Sequence, residues 1–286
     1  MGVWLLKQGL LHGRFECELP GPFLGRGWAL INLATCNYAC PYCITGGFAK
    51  DRAQRFPDSE EVELAQVLAF VERHCELGHP ILVSGAEPLM ATEAVAAIAR
   101  TVREAGGLIQ LMTNGSMPNE LNKLLPLVDA VDIDVKAAPE KLAAVTGVGS
   151  RGLTWDKPLQ SIERSLAAGV TTLVTTPCFE TTTLEDLVEI GGALPEGVAR
   201  WTVMQFVPAS VRRGQWSLQR KDYGTRGFAW PEQQRTLDIV DALGSRLPQL
   251  APILFSTSLS QDLVQLKAPW RDRGAAAKTE QTRPST

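Results

Sequence analysis

Residues 28–43 read WALINLATCNYACPYC: a short apolar run passes directly into a loop that carries Cys36, Cys40 and Cys43. An apolar run of this length, ended by polar and small residues, predicts a buried strand at residues 28–34. Working outward, short apolar runs recur at residues 80–84 (PILVS), 108–112, 130–135 (AVDIDV), 170–176 and 201–206. Helical stretches fall between and after them, at about 58–74, 92–104, 119–127, 159–168 and 183–194. The first is opened by a D-x-x-E capping box, Asp58 to Glu61. Six strand–helix units, or nearly so, predict an α/β chain whose right-handed crossovers curl it into an open, partial (β/α)6-type TIM-like barrel. Residues 1–27 are expected to form an N-terminal extension, with a hairpin as the candidate form. Residues 28–255 are expected to form the barrel, and 256–286 a C-terminal segment. The last part of that segment, 268–286, has few apolar residues and is expected to fray.

The chain has 286 residues, 45% of them hydrophobic, which is enough for a full core. A formal charge of -3 provides no global field for gripping nucleic acid. No apolar run is long enough to span a bilayer, and MGVWLLK lacks the marks of a signal peptide, so a cytoplasmic protein is expected. The six cysteines are Cys17, Cys36, Cys40, Cys43, Cys75 and Cys178. Three of them crowd into eight residues, so they read as metal ligands before disulfides.

The unusual polar residues fall just after the predicted strands: the three cysteines, then Glu87, Asn114, Lys136 and Pro208. In a barrel these positions form one mouth, at the carboxyl ends of the strands. A C-x3-C-x2-C loop suits a cubane iron–sulfur cluster and leaves its fourth iron open to a ligand. Zinc, the alternative, would need a fourth ligand, and His74 and His79 lack zinc-finger spacing. In residues 132–136 (DIDVK), alternation puts Asp132, Asp134 and Lys136 on one side. They either point into the barrel or form the solvated face of an edge strand.

The cysteine loop is similar to the signature of the radical S-adenosylmethionine (SAM) superfamily, C-x3-C-x-Φ-C, with Tyr42 as the aromatic residue. Gly85-Ala86-Glu87-Pro88 resembles that family's G-G-E-P turn, and Thr113-Asn114-Gly115 its T-N-G turn. Residues 131–147 resemble the D-x-K region of activating enzymes for glycyl-radical enzymes, in the branch that activates anaerobic ribonucleotide reductase. The resemblance implies a [4Fe–4S] cluster on Cys36, Cys40 and Cys43, with SAM chelating the open iron. It also implies reductive cleavage of SAM to a 5′-deoxyadenosyl radical, which takes hydrogen from a glycine of a partner enzyme. SAM contacts would fall on Tyr42, Gly85, Ala86, Glu87, Pro88, Thr113, Asn114, Asp134 and Gln205, with Asp134 and Lys136 as the catalytic pair. The implied partners are a flavodoxin- or ferredoxin-like reductant and a glycyl-radical enzyme.

The chain departs from that branch at Val174, where an arginine is usual, and at Ile44-Thr45, where His-Asn is usual. Two alternatives therefore stand beside the activase: a radical SAM enzyme acting on a small molecule or peptide, and a non-catalytic iron–sulfur or zinc protein. No cysteine follows Cys178, so no auxiliary cluster is expected. Cys178 reads as a packed thiol or as a hydrogen-atom donor. The basic, aromatic stretch 211–228 reads as a solvated loop, a lid, or a dock for an acidic partner.

Overall fold

A computed structural model describes residues 1–16, 27–43, 53–148, 154–206, 231, 233–247 and 253–257. Its strands are β1 (Gly2–Glu16), β2 (Gly27–Leu33), β3 (Ser59–Glu63), β4 (Ile81–Gly85), β5 (Ile109–Thr113), β6 (Ala130–Asp134), β7 (Thr171–Cys178), β8 (Arg200–Gln205) and β9 (Ile253–Thr257). All nine belong to one open sheet in the order β3-β1-β2-β4-β5-β6-β7-β8-β9. From β2 through β9 every pairing is parallel, whereas β1 runs antiparallel to both of its neighbours. The helices are α1 (Leu64–Glu76), α2 (Thr92–Glu104), α3 (Pro118–Leu124), α4 (Pro139–Thr146), α5 (Asp156–Ala167), α6 (Leu184–Ala193) and α7 (Gln233–Arg246).

Alternation along the strands sorts the side chains onto two faces. Ile31, Val83, Leu111, Ile133, Val174 and Val203 point outward and join Val71, Ile98, Leu121, Ile162 and Leu187 of the helices in the main core. Burying each of these aliphatic side chains is worth about 1.5–3 kcal/mol. On the opposite, inner face, Trp28, Ala130 and Leu173 form an apolar plug at the amino ends of the strands. The mouth lies at the other end.

The α/β class and the open, barrel-like parallel sheet agree with the sequence, but four details differ. Asp58 to Glu61 do not cap a helix. Residues 59–63 pair antiparallel with Gly2–Leu6 as β3, and α1 begins at Leu64 with no side-chain cap. Strand pairing here overrides a local helix signal. A capping box does form at α6, where Thr183 Oγ1 accepts from Asp186 N at 3.2 Å and Asp186 Oδ2 from Thr183 N at 2.7 Å. The N-terminal extension is not a separate hairpin, because β1 lies between β2 and β3 in the same sheet. Beyond the six strands foreseen, β9 adds a seventh parallel one, and the boundary expected at residue 255 falls inside it. The fourth difference is α4, which occupies residues read as loop. The tail 268–286 lies outside the described residues.

Candidate active site

The cysteine loop leaves β2 at Leu33 and is pinned by backbone hydrogen bonds on two sides. Cys36 N donates to Gln54 O at 3.2 Å and Phe56 N to Ala34 O at 3.0 Å. On the other side, Ala86 N donates to Leu33 O at 3.0 Å and Glu87 N to Thr35 O at 2.8 Å. Gly85 has φ +102°, and a Cβ there would stand 2.6 Å from the Leu33 carbonyl oxygen, so the turn before Glu87 requires glycine. Asn37 ties the loop to the end of β5: its Nδ2 donates to Ser116 Oγ at 2.8 Å, and its Oδ1 accepts from Asn114 Nδ2 at 2.9 Å.

The second half of the loop rests on the end of α4. Ala39 N donates to Thr146 O at 2.9 Å, and Gly147, with φ +66°, packs against the Ala39 carbonyl. A Cβ at Gly147 would overlap that carbonyl oxygen, which is backbone and cannot turn aside. Gly147→Ala is therefore expected to push the cysteine loop away from α4 and destabilise the chain by about 1–3 kcal/mol. Iron taken up per chain on reconstitution should fall below half of wild type; an unchanged iron content would contradict this packing role.

Cys36 and Cys40 are buried, and Cys43 is half-buried. They pack with Leu6, Ala34, Tyr38, Phe56, Trp4 and Tyr42, an apolar wall that shields the loop. Burial pushes the Cys40 thiol up to about 12, against the pull of the nearby Lys136 ammonium. Among the described residues no three His, Cys, Asp or Glu side chains converge on a point where one metal ion could sit. A cubane needs a different donor set, one thiolate for each of three irons, and this partly buried loop carries three thiols within eight residues. A metal there would draw off the protons that burial holds on these thiols.

Glu87 is the hub of the mouth. It is 0% exposed, and it accepts from Thr113 Oγ1 at 2.6 Å and Leu89 N at 3.0 Å on one oxygen, and from Asn114 N at 2.7 Å on the other. Burial pushes its carboxyl up to about 7, while the three donors pull the other way. Of the carboxylate's roughly four acceptor positions, three are filled by donors among the described residues.

Lys136 Nζ donates to Asp134 Oδ2 at 2.5 Å, and the pair is largely buried. Burial works to lower the lysine pKa, but Asp134, Tyr42 and Cys40 outweigh it and hold the ammonium well above its ordinary value. Tyr42 lies edge-on to Phe179 at 4.6 Å and to Phe206 at 5.8 Å, which closes the mouth beside this pair. β6 lies between β5 and β7, so residues 132–136 are not a solvated edge. Asp132 shares the inner face with Asp134, is buried, and accepts from Thr175 Oγ1 at 2.9 Å. Burial pushes its carboxyl up to about 6, with Asp134 adding to the effect and Arg200 opposing it.

The two raised carboxyls fix a sign for the pH dependence of the ligand-free chain. Each binds its proton more tightly folded than unfolded, so its stabilising contribution is complete below about pH 4 and is lost as pH rises through about 6 to 7. Chemical denaturation is expected to give lower stability at pH 8 than at pH 5, by about 3 kcal/mol for each group at most. A midpoint that rises across this window would contradict that environment for Glu87 and Asp132.

The structure thus gathers Cys36, Cys40, Cys43, Tyr42, Gly85, Ala86, Glu87, Pro88, Thr113, Asn114, Asp134 and Lys136 at one end of the sheet. Gln205 ends β8 at this same end of the sheet but on the outward side of the strand. It shares that side with Trp201 and Val203, and its Nε2 donates to Pro231 O at 2.8 Å. Cys178 also faces the main core, as a packed thiol. Pro208, Cys17 and the stretch 211–228 lie outside the described residues. Sequence reading missed Asn37, Ser116 and Gly147, which hold the loop, and Trp155, whose Nε1 donates to Ala137 O at 2.8 Å just past Lys136. A polar residue inside the cysteine spacing was the available signal for Asn37; the role of Gly147 depends on a contact 108 residues away.

A family model described as the radical SAM superfamily matches residues 33–192. A Methanocaldococcus jannaschii protein provisionally assigned as a glycyl-radical enzyme activating enzyme is 34% identical over 115 residues, 40% of this chain and 45% of that protein. A 7-carboxy-7-deazaguanine synthase of Methanothermobacter thermautotrophicus is 27% identical over 175 residues, 59% of this chain and 68% of the synthase. Among solved structures, a radical SAM methyltransferase from Sphaerobacter thermophilus superposes with TM-score 0.59 at 15% identity, over 85% of this chain and 71% of that one. Streptococcus suis SuiB bound to S-adenosylmethionine gives 0.55 at 12% identity, over 78% of this chain and 48% of that one. The chain spans less than half the length of the first of these relatives, and the two structural likenesses speak for the fold alone. With the family match covering more than half of its length, and with the cysteine loop and Glu87 hub within that match, the chain belongs to the radical SAM superfamily.

Proposed function

We propose that this radical SAM enzyme takes a hydrogen atom from a small polar molecule held on the inner face of its sheet. The chemistry that cluster and SAM supply when bound is one-electron cleavage of a carbon–sulfur bond, giving methionine and a 5′-deoxyadenosyl radical. The observation that supports a small substrate is the inner face itself. Beside and below Asp134, the side chains of Thr175, Thr202, Asp132 and Gln110 are all buried, out of reach of a bulky partner's surface.

In this reading Cys36, Cys40 and Cys43 hold the cluster, and the apolar wall around them excludes water. Glu87 offers its remaining acceptor position to the SAM ammonium. Lys136, oriented by Asp134, is the cation that pairs with the SAM carboxylate. Tyr42 and the backbone of residues 85–88 and 113–114 line the same mouth. Gln205 takes no part. The electron comes from a reductant protein of the flavodoxin or ferredoxin kind, and the setting is cytoplasmic.

A second reading is the activase inferred from residues 131–147, and the M. jannaschii relative favours it. The deazaguanine synthase relatives favour the small molecule. A fractionation experiment separates the two. Reduced, reconstituted enzyme with SAM is given either the low-mass or the protein fraction of an extract of its source cells, and 5′-deoxyadenosine is quantified. We expect the low-mass fraction to raise deoxyadenosine several-fold. Stimulation by the protein fraction alone, with a glycyl-radical signal in it, would replace this reading with the activase.

A further inference from the structure

The inner face carries more hydrogen-bonding capacity than the fold uses. Gln110 and Thr202 are 5% and 6% exposed, yet Gln110 Oε1 and Thr202 Oγ1 have no hydrogen-bond partner among the described residues. Asp132 gives one oxygen to Thr175, and its other oxygen accepts no hydrogen bond among the described residues. Arg200 acts on Asp132 electrostatically without a direct ion pair among the described residues, and its Nε is buried and unmatched there. Register places these residues on four neighbouring strands. Gln110 pairs with Ala130, Asp132 with Leu173, Leu173 with Arg200, and Thr175 with Thr202.

Each buried polar group left unmatched costs about 1–3 kcal/mol, and apolar residues of the same size would avoid that cost. Apolar residues do stand beside them, in the plug of Trp28, Ala130 and Leu173. By register the polar set runs up the inner face from the plug to Asp134: Gln110 beside Ala130, Asp132 and Arg200 beside Leu173, and Thr202 beside Thr175, which pairs with Asp134.

We infer that this set is a substrate subsite, in which the Asp132 carboxylate and the Gln110 amide bind the N–H edge of a small nitrogenous molecule. Amines, amidines and amides are the class, and Thr202 and Arg200 close the sides of the subsite. The assignment deepens the proposed small-molecule reading and rests on it. An ionised carboxylate only accepts hydrogen bonds, so Asp132 selects a donor, whereas the Gln110 amide matches either polarity. A donor bound this deep leaves the rest of the molecule pointing up the inner face, toward the mouth.

The test uses two planar probes of similar size: 2-aminobenzimidazole, which presents N–H donors, and 2-methylbenzoxazole, which presents none. Their binding to the full chain, reconstituted with iron and sulfide, is measured by calorimetry for wild type, Asp132→Asn and Thr202→Val. We expect wild type to prefer the donor probe by about tenfold or more, as one hydrogen bond to a charged group implies. Asp132→Asn should erase that preference. Thr202→Val should weaken donor-probe binding several-fold while its thermal midpoint stays level or rises, which a purely structural hydroxyl would not do. Equal affinity for the two probes, a preference that survives Asp132→Asn, or no binding of either at millimolar concentration would each overturn the subsite. Deoxyadenosine formation is measured on the same preparations. Its absence in wild type would remove the proposed reaction while leaving the probe result to stand or fall by itself.

Discussion

Cys40→Ala is expected to lose the cluster and with it at least about a thousandfold of SAM cleavage, while the ligand-free chain stays folded. Cys40 is the central cysteine of the loop, and Cys36 and Cys43 are its closest thiol neighbours in charge terms. It is buried against Lys136 and Tyr42, so no outside thiol or water can replace it as a ligand. Two remaining thiols cannot seat a cubane that wants three, and without the cluster no electron reaches SAM. The packing cost is modest, because a buried thiol behaves as a small hydrophobe and removing one sulfur opens only a small cavity, worth about 1–2 kcal/mol. Iron analysis and deoxyadenosine quantification check the functional half, and circular dichroism checks the fold. A variant with full iron and wild-type turnover would remove Cys40 from the ligand set.

Glu87→Gln has the next largest expected effect, and it works in two opposed directions. The carboxylate takes N–H donors from Leu89 and Asn114 and the Thr113 hydroxyl. A glutamine keeps one acceptor oxygen but turns an NH2 group toward a backbone N–H, which costs about 1–3 kcal/mol. It also removes a charge whose burial, judged from a carboxyl pushed up to about 7, costs about 3 kcal/mol above neutral pH. The two effects come close to cancelling at pH 8. Below about pH 4.5 wild-type Glu87 is already neutral in both states, so the variant gains nothing there from lost charge. Glu87→Gln should therefore flatten the pH dependence of ligand-free stability. SAM affinity should fall roughly a hundredfold, since the acceptor left for the ammonium is no longer charged. Wild-type SAM affinity in Glu87→Gln would show that Glu87 only braces the turn.

The alternation in residues 130–135 was enough to place Asp132 and Asp134 on one face, because a strand has no choice about its period. Position after a strand likewise gathered Glu87, Asn114 and Lys136 into one mouth, since parallel strands share their carboxyl ends. Gln205 differs in orientation, since it ends β8 on that strand's outward side. Residues 201–206 give a strand but do not announce which of its sides is inner, and Trp201 and Val203 turned out to lead the outward side. The capping box at Asp58 was a sound local signal defeated by β1, a pairing partner more than fifty residues away. Helix α4 was hidden because Pro139 looks like loop punctuation, whereas here it opens a helix that ends at Gly147. What no local pattern could reveal was the contact of Gly147 with Ala39, or the unmatched polar atoms of Gln110 and Thr202. Those depend on which strands become neighbours.

Whether this loop holds an open-sited cluster that binds SAM and delivers it an electron is read most directly from the purified chain. The chain would be purified without oxygen, reconstituted with iron and sulfide, and reduced with dithionite; its electron paramagnetic resonance spectrum would be recorded before and after SAM, followed by assay for 5′-deoxyadenosine. We expect about four irons per chain, a cluster signal that shifts when SAM binds, and deoxyadenosine formed together with methionine. A tightly held single zinc, or a reduced cluster whose signal ignores SAM and leaves it intact, would contradict that role for the loop.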